Sequence, residues 1–162
     1  MKGKYSILKS ANKGKVLISG MGGSFGLLYS AILHIQPDTA VIVTSSKFRN
    51  NVAEVCEKAG FDDKSRVHVL TMNDVFAGFN ETPELLQKIW PIVEYAEKII
   101  INLTGGTTAM QWIMQSAYEE ASKKYLPVER VAFIDRRSSI EQQQNPWQLG
   151  ELVEIEKIRK IT

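Results

Sequence analysis

The stretch from Ile99 to Met110 constrains the fold of this chain more than any other feature of its sequence. It begins with an apolar run that has the length of a buried strand. A Thr-Gly-Gly-Thr-Thr segment interrupts this run at residues 104–108. Apolar residues then return at helical spacing, at Met110, Ile113, Met114, Ala117, Tyr118 and Ala121. The two glycines are therefore predicted to connect the carboxyl end of a strand to the first turn of a helix.

This connection is of the kind that binds ligands in open α/β sheets. Gly105 and Gly106 allow a ligand to approach the backbone closely, and the free N–H groups at the start of the helix favour an anion. The hydroxyls of Thr104, Thr107 and Thr108 can cap the helix or donate to the ligand. A tight turn followed by a threonine N-cap explains the same spacing. The motif alone leaves both interpretations open.

A second stretch of the same design lies near the start of the chain. Residues 15–19 have the pattern of a buried strand, residues 20–26 form a glycine-rich loop, and an apolar helical stripe follows from Leu27 to Ile35. The loop is not a Walker A loop, because no Gly-Lys-Ser/Thr closes it, and its glycines fit the dinucleotide fingerprint poorly. Two glycine-rich loops, each after an apolar strand, predict one shared site.

Further strands are predicted at residues 40–44, 66–70 and 130–135, with a half-buried final strand at residues 149–155. Helices are predicted at residues 50–59 and from Thr82 to about Glu97, with a kink at Pro91. Residues 71–81 and 142–146 are predicted to be loops. This alternation of strands and helices predicts an α/β fold, a Rossmann-like, doubly wound, mainly parallel sheet of about six strands with helices on both faces.

Two other loops place polar side chains at the carboxyl ends of strands. Thr44, Ser45 and Ser46 end the second strand, where they can contact a ligand or cap the next helix. Arg136 and Arg137 follow the strand that ends at Asp135, where they suit a phosphate or carboxylate but also fit a solvated turn. The loops after the first, second, fourth and fifth strands are expected to meet at one edge of the sheet.

Composition excludes several classes of protein. The net charge is only +2, with 20 basic and 18 acidic residues, so a surface that binds long nucleic acids directly is not expected. The single cysteine, Cys56, rules out an internal disulfide and a Cys-rich zinc site, and it falls on an apolar helical stripe, which favours a buried thiol. An NAD-binding fold needs an acidic residue at the end of the second strand to bind the ribose hydroxyls. This chain has Thr44, Ser45 and Ser46 there, so NAD is not expected. We predict no cofactor and no metal.

The second glycine motif resembles that of a known family. Asn102-Leu103-Thr104-Gly105-Gly106-Thr107-Thr108-Ala109-Met110 is similar to the hallmark of the CRISPR-associated Rossmann fold (CARF) domains, which reads Asn/Asp-x-Thr-Gly-Gly-Thr-Lys-x-Met. The first loop, which ends at Ser24, matches the family in position. The resemblance implies a ligand-sensing domain that binds cyclic oligoadenylate, most often cyclic tetra-adenylate, across a homodimer interface. It also implies an antiviral type III CRISPR response and a fused or upstream effector.

The candidate ligand-binding residues follow from the resemblance and from the loops described above. They are Gly22, Gly23, Ser24, Phe25, Thr44, Ser45, Ser46, Asn102, Thr104, Gly105, Gly106, Thr107, Thr108, Met110, Arg136 and Arg137. Thr108 departs from the family pattern, which has a lysine there, and so removes a positive charge from the expected phosphate site. The alternative is a stand-alone, metal-independent ring nuclease that degrades cyclic tetra-adenylate by attack of a 2′-hydroxyl, with help from Ser24 and Thr107.

The expected organisation is simple. Residues 1–14 form a basic leader or linker, residues 15–156 form the ligand-binding domain, and residues 157–162 form a basic tail. No apolar run is long enough to span a membrane and no signal peptide is visible, so a cytoplasmic location is expected. A membrane-anchored effector segment outside this sequence remains compatible with that expectation.

Overall fold

A computed structural model describes residues 14–159 of the chain, with side chains for residues 14–158. Six strands are present in this part of the chain: β1 (Lys15–Met21), β2 (Thr39–Ser45), β3 (Val67–Met72), β4 (Lys98–Asn102), β5 (Val128–Ile134) and β6 (Glu151–Glu154). The α-helices are α1 (Phe25–Ile35), α2 (Asn51–Lys58), α3 (Thr82–Val93), α4 (Thr108–Lys123), α5 (Ser139–Gln144) and α6 (Ile155–Arg159). Short 3₁₀ turns span Lys64–Arg66 and Gly78–Glu81.

The strands form one sheet in the order β3-β2-β1-β4-β5-β6. Five strands are parallel, and Ile18 at the centre of the sheet lies opposite Val41 of β2 and Ile101 of β4. The edge strand β6 runs antiparallel to β5, with Leu152 opposite Phe133. This arrangement confirms the predicted Rossmann-like, mainly parallel fold.

Helices cover both faces of the sheet because alternate strand residues point to opposite faces. On one face, Ile18 and Ile101 join a buried cluster with residues of α3 and α4, such as Ile89 and Ile113. On the other face, Leu17 and Ile100 join a second buried cluster with residues of α1 and α2. The central strands are therefore buried on both sides, which explains why they appear in the sequence as continuous apolar runs.

The order of the strands creates a crevice between β1 and β4. From β1 the chain proceeds outward to β2 and β3, and it then crosses back to β4 on the other side of β1. The loops that leave β1 and β4 therefore belong to helices on opposite faces of the sheet. At such a switch point the two loops diverge and leave a space at the carboxyl edge of the sheet.

Several predicted elements differ from the structure in their bounds. The strands β3 and β5 cover Val67–Met72 and Val128–Ile134 rather than residues 66–70 and 130–135, and the predicted loop at residues 71–81 includes the end of β3 and the 3₁₀ turn Gly78–Glu81. Helix α3 ends at Val93 rather than near Glu97, and Pro91, which has no N–H to donate, lies in its last turn. Residues 142–146, predicted to be a loop, lie partly in α5. This helix is started by a capping box, in which the Ser138 side chain accepts from the Glu141 N–H and Glu141 accepts from the Ser138 N–H.

The final strand is also shorter than predicted. The strand β6 covers Glu151–Glu154, and α6 begins at Ile155 and extends across the predicted start of the basic tail at Lys157. Residues 1–13 of the predicted leader and residues 160–162 of the tail lie outside the described residues. Within residues 14–159, none of the helices is long and apolar enough to cross a membrane.

Candidate functional site

The two glycine-rich loops meet at the crevice. A Cβ atom on Gly22, in the loop after β1, would lie 3.1 Å from the Cα of Gly106, in the loop after β4. Gly106 itself has a φ of +74°, and a Cβ there would lie 2.5 Å from the Sδ of Met110. A side chain at Gly22 would therefore push the two loops apart, whereas one at Gly106 would collide with Met110 of the following helix. The glycines therefore allow two strand-to-helix loops to share one site.

A cavity of about 430 Å³ lies between these loops. Its lining includes eight of the predicted site residues: Gly22, Gly23, Ser24, Ser45, Gly105, Gly106, Thr107 and Met110. The other lining residues are Leu27, Phe48, Val75 and Phe76. None of these twelve residues is charged, so no carboxylate lines the cavity to repel an anion.

Two helices begin at the cavity. Helix α1 starts at Phe25, and the Ser24 side chain before it is exposed and makes no cap hydrogen bond. Helix α4 starts at Thr108 after an N-cap by Thr107, whose hydroxyl accepts from the Met110 N–H at 3.3 Å. Of the three threonines that could cap this helix, Thr107 is the one that does. The first-turn N–H groups of two helices, which have no acceptors within their own helices, favour a local positive potential at the cavity without any charged side chain.

Buried hydrogen bonds below the cavity hold the Gly105–Gly106 loop in position. The Asn102 side chain donates to the Ser19 hydroxyl of β1 at 3.1 Å and accepts from the Thr104 N–H at 2.9 Å. The Thr104 hydroxyl accepts from the Phe133 N–H of β5 at 2.7 Å. Asn102 and Thr104 therefore connect the loop to both neighbouring strands, and they are not in the cavity lining.

Other predicted site residues surround the cavity without lining it. The buried Thr44 hydroxyl donates to the Met21 carbonyl at 2.7 Å and so joins the ends of β1 and β2. The Phe25 ring packs edge to face against Phe48, with 5.7 Å between the ring centroids. Ser46 and Thr108 are both exposed.

The two arginines after β5 are not in the lining of the cavity. Arg136 pairs with Glu151 at 3.0 Å on the exposed surface. Arg137 forms two hydrogen bonds to the carboxylate of Asp135 and one to the Asn145 carbonyl. The hydrogen bond from the Arg137 side chain lowers the pKa of Asp135 below its ordinary value. Arg137 therefore holds its own turn together in this structure.

The loop after β3 contributes to the cavity, although the sequence did not predict it. Val75 and Phe76 belong to this loop, and the Thr107 hydroxyl donates to the Val75 carbonyl. The loops that line the cavity are thus those after β1, β2, β3 and β4, whereas the loop after β5 was expected in place of that after β3. The available signal was Phe76, a large aromatic residue in a long predicted loop.

A second cavity of about 480 Å³ lies between α2 and the edge strand β3. Its lining combines apolar residues, such as Phe61 and Val67, with side chains of both charges, such as Glu57 and Lys64. It also includes Cys56, which is buried as predicted and whose pKa burial raises to about 11. This cavity contains neither glycine-rich loop, so the convergence of predicted site residues favours the first cavity.

The fold resembles that of several solved structures, of which two are described here. One is Can2 from Sulfobacillus thermosulfidooxidans in complex with cyclic tetra-adenylate, with a TM-score of 0.55 and 11% identity over 72% of this chain. The other is a type III CRISPR defence DNA nuclease activated by cyclic oligoadenylate, with a TM-score of 0.54 and 24% identity over 74% of this chain. This chain covers 31% of the first and 18% of the second. No family model and no curated protein matches the sequence.

Proposed function

We propose that this chain, which has the fold of a CARF domain, binds a cyclic oligoadenylate at the cavity between its glycine-rich loops. The favoured ligand is cyclic tetra-adenylate, and the favoured role is that of a sensor. Two observations support this proposal independently of each other: the Asn-x-Thr-Gly-Gly-Thr motif in the sequence and the fold shared with the two structures described above.

The convergence of the two glycine-rich loops carries the proposal. The loops approach so closely at Gly22 and Gly106 that backbone N–H groups from both can face one ligand. Phosphate oxygens are strong acceptors, and the starts of α1 and α4 offer donors at the same place. The cavity has no charged lining residue, so in this proposal the phosphates are held by the backbone and by hydroxyls such as that of Ser24.

The size of the cavity favours two copies of the chain for each ring. About 430 Å³ is near the lower end of the range for pockets that enclose a single drug-sized ligand. A ring of four nucleotides is much larger, so one chain encloses only part of it. A tetranucleotide ring with two-fold symmetry can present the same groups to a second copy of the chain. We therefore propose a homodimer with the ring across its axis.

In this proposal the chain is the sensor part of a larger effector. It covers less than a third of each of the two similar structures, and the remaining parts of such proteins provide room for an output domain. The proposed action is that ring binding changes the relative positions of the two copies and so regulates a fused or associated effector in an antiviral type III CRISPR response.

The ring-nuclease alternative is favoured by one observation, the uncommitted hydroxyl of Ser24 at the start of α1. Cleavage by attack of a ribose 2′-hydroxyl on the adjacent phosphate needs in-line geometry and stabilisation of the developing charge. Ser24 and the backbone N–H groups can supply the second requirement. Thr107 is less suited to this role, because its hydroxyl already donates to Val75.

Titration calorimetry followed by chromatography separates these functions. The chain should bind cyclic tetra-adenylate more tightly than linear tetra-adenylate, with one ring for two chains, and the ring should be recovered intact after long incubation without metal. Recovery of linear di-adenylate would instead support the ring nuclease. If the chain bound neither cyclic tetra-adenylate nor cyclic hexa-adenylate, both functions would be contradicted.

A further inference from the structure

Phe76 is an exposed aromatic residue at the edge of the cavity. It lies in the loop after β3, its side chain is 80% exposed, and it is one of the lining residues. A phenylalanine in this position keeps a large apolar surface in water beside a site that suits phosphates. We propose that Phe76 stacks on a nucleobase whose phosphate is held by the glycine-rich loops. This inference rests on the proposed function and adds a base-binding residue to it.

The side chain of Glu81 holds the backbone that leads into Phe76. Its two carboxylate oxygens accept the N–H groups of Asn73 at 2.7 Å and Asp74 at 2.9 Å. Gly78 makes this possible, because a Cβ at that position would collide with the Glu81 carboxylate. The carboxylate therefore reaches back across the 3₁₀ turn and fixes the start of the loop.

Two further contacts hold the tip of the loop. The Asp74 side chain accepts the N–H groups of Phe76 and Ala77, both at 3.0 Å. The Thr107 hydroxyl of the glycine motif donates to the Val75 carbonyl. The residue before Phe76 is thus attached directly to the loop that carries Gly105 and Gly106. This attachment sets the position of Phe76 relative to the predicted phosphate site.

The loop is therefore ordered by its own hydrogen bonds while the Phe76 ring remains exposed. A loop that is ordered before the ligand arrives avoids the entropy loss of ordering on binding. Stacking of a base on an aromatic ring contributes about 5- to 100-fold in affinity and does not require a particular base. In this scheme Phe76 strengthens binding of nucleotides in general, and hydrogen bonds elsewhere select adenine. Glu81 is a positioning residue.

The test is the affinity of the full chain for cyclic tetra-adenylate, measured by titration calorimetry. Phe76→Ala should weaken binding by about 5- to 100-fold, and Phe76→Trp should retain or increase it. The matched control is Phe79→Ala, which removes the same side chain from the neighbouring turn; Phe79 is 43% exposed and does not line the cavity. This control should bind like the wild-type chain. Thermal denaturation should show that all three variants remain folded.

Glu81→Gln tests the positioning role. It replaces one carboxylate oxygen by an amide that cannot accept an N–H, so it should weaken binding in the wild-type background. It should have little further effect when Phe76 is already alanine, because both changes then remove the same stacking. If Glu81 had a purely structural role, Glu81→Gln would weaken binding by the same factor in the wild-type chain and in the Phe76→Ala variant.

The outcomes distinguish the two proposals. If the wild-type chain binds the ring and Phe76→Ala binds equally well, the stacking inference is wrong and the proposed function stands. If the wild-type chain binds no cyclic oligoadenylate, the proposed function fails and the inference fails with it.

Discussion

Gly22 and Gly106 bring the ends of β1 and β4 into backbone contact, with only 3.1 Å between a Cβ placed on Gly22 and the Cα of Gly106. The two residues are far apart in the chain and belong to different strand-to-helix loops. Both residues line the cavity. The proposed ligand site depends on this contact, because the contact makes one site from two separate strand-to-helix loops.

Gly22→Ala should therefore weaken ligand binding and destabilise the fold. The new methyl group meets backbone atoms of Gly106 that cannot move without shifting the loop, and overpacking of this kind costs about 1–3 kcal/mol in the free energy of unfolding. Gly23→Ala is the matched control, because its Cβ would lie at an ordinary distance of 3.5 Å from the Phe48 ring. Thermal and urea denaturation measure the difference. Equal stability of the two variants would show that the loops do not touch at Gly22.

Thr108→Lys tests whether the family motif can be applied to this site. Thr108 is the first residue of α4 and is exposed, so a lysine there can reach an anion at the glycine loops. Binding should tighten by about tenfold and become more dependent on salt, because the added contact is charge-assisted.

Thr108→Gln is the neutral control for this variant. It adds a side chain of similar reach without the charge, so its salt dependence should equal that of the wild-type chain. Titrations at low and high ionic strength measure how the affinity of each variant depends on salt. If affinity, salt slope and ring cleavage all stay unchanged in folded Thr108→Lys, then Thr108 does not face the ligand.

Acid should remove a contact that holds α6 on the sheet. Burial alone would raise the pKa of Glu156, but hydrogen bonds from the Arg130 N–H and guanidinium outweigh it and lower this pKa below 4.5. The folded-state pKa is depressed, so this contact stabilises the fold above pH 4.5, and the contribution is lost as the pH falls through the lower folded-state value.

Glu156→Gln should therefore destabilise the chain by about 1–2 kcal/mol near neutral pH, the range for a partly buried, charge-assisted hydrogen bond. The difference from the wild-type chain should shrink toward zero in acid. Glu84→Gln is the control, since Glu84 forms an exposed pair with Lys88. Urea denaturation across the pH range measures the free energy of unfolding of both variants and of the wild-type chain. A difference that persists undiminished in acid would contradict the role assigned to the Glu156 carboxylate.

Cys56 should be unreactive in the folded chain. Its side chain is 3% exposed and burial raises its pKa to about 11, so at about pH 8 only about one thiol in a thousand is the reactive thiolate. Labelling with a thiol reagent should be slow in buffer and fast in denaturant. Rapid labelling of the native chain would show that Cys56 is not buried between α2 and the sheet.

The sequence predicts the sheet well because its central strands are buried on both faces and appear as continuous apolar runs. The parallel direction of β1 to β5 follows from the alternation of strands and helices. The short helix α5 was missed because its residues, Ser139–Gln144, are mostly polar and none is buried, so only the capping box at Ser138 and Glu141 indicates it.

The candidate site could be predicted only in part. Local patterns place Gly22, Gly106 and Thr107 at the carboxyl edge, since each lies between a strand and a helix. Phe76 could not be placed in this way, because its position depends on the contact of Val75 with Thr107, 32 residues away in the chain. The local sequence likewise does not decide whether Arg137 faces a ligand. The spacing of Asp135 and Arg137 does allow the salt bridge that these two residues form in the structure.

The most direct test of the central claim is the backbone amide NMR spectrum of the chain with increasing cyclic tetra-adenylate. We expect the largest shifts at residues 22–24 and 105–107, where the N–H groups would meet the phosphates, together with shifts at Phe76. Residues of the second cavity, such as Phe61 and Val67, should change little. Shifts concentrated in that second cavity, with the glycine loops unaffected, would contradict the account.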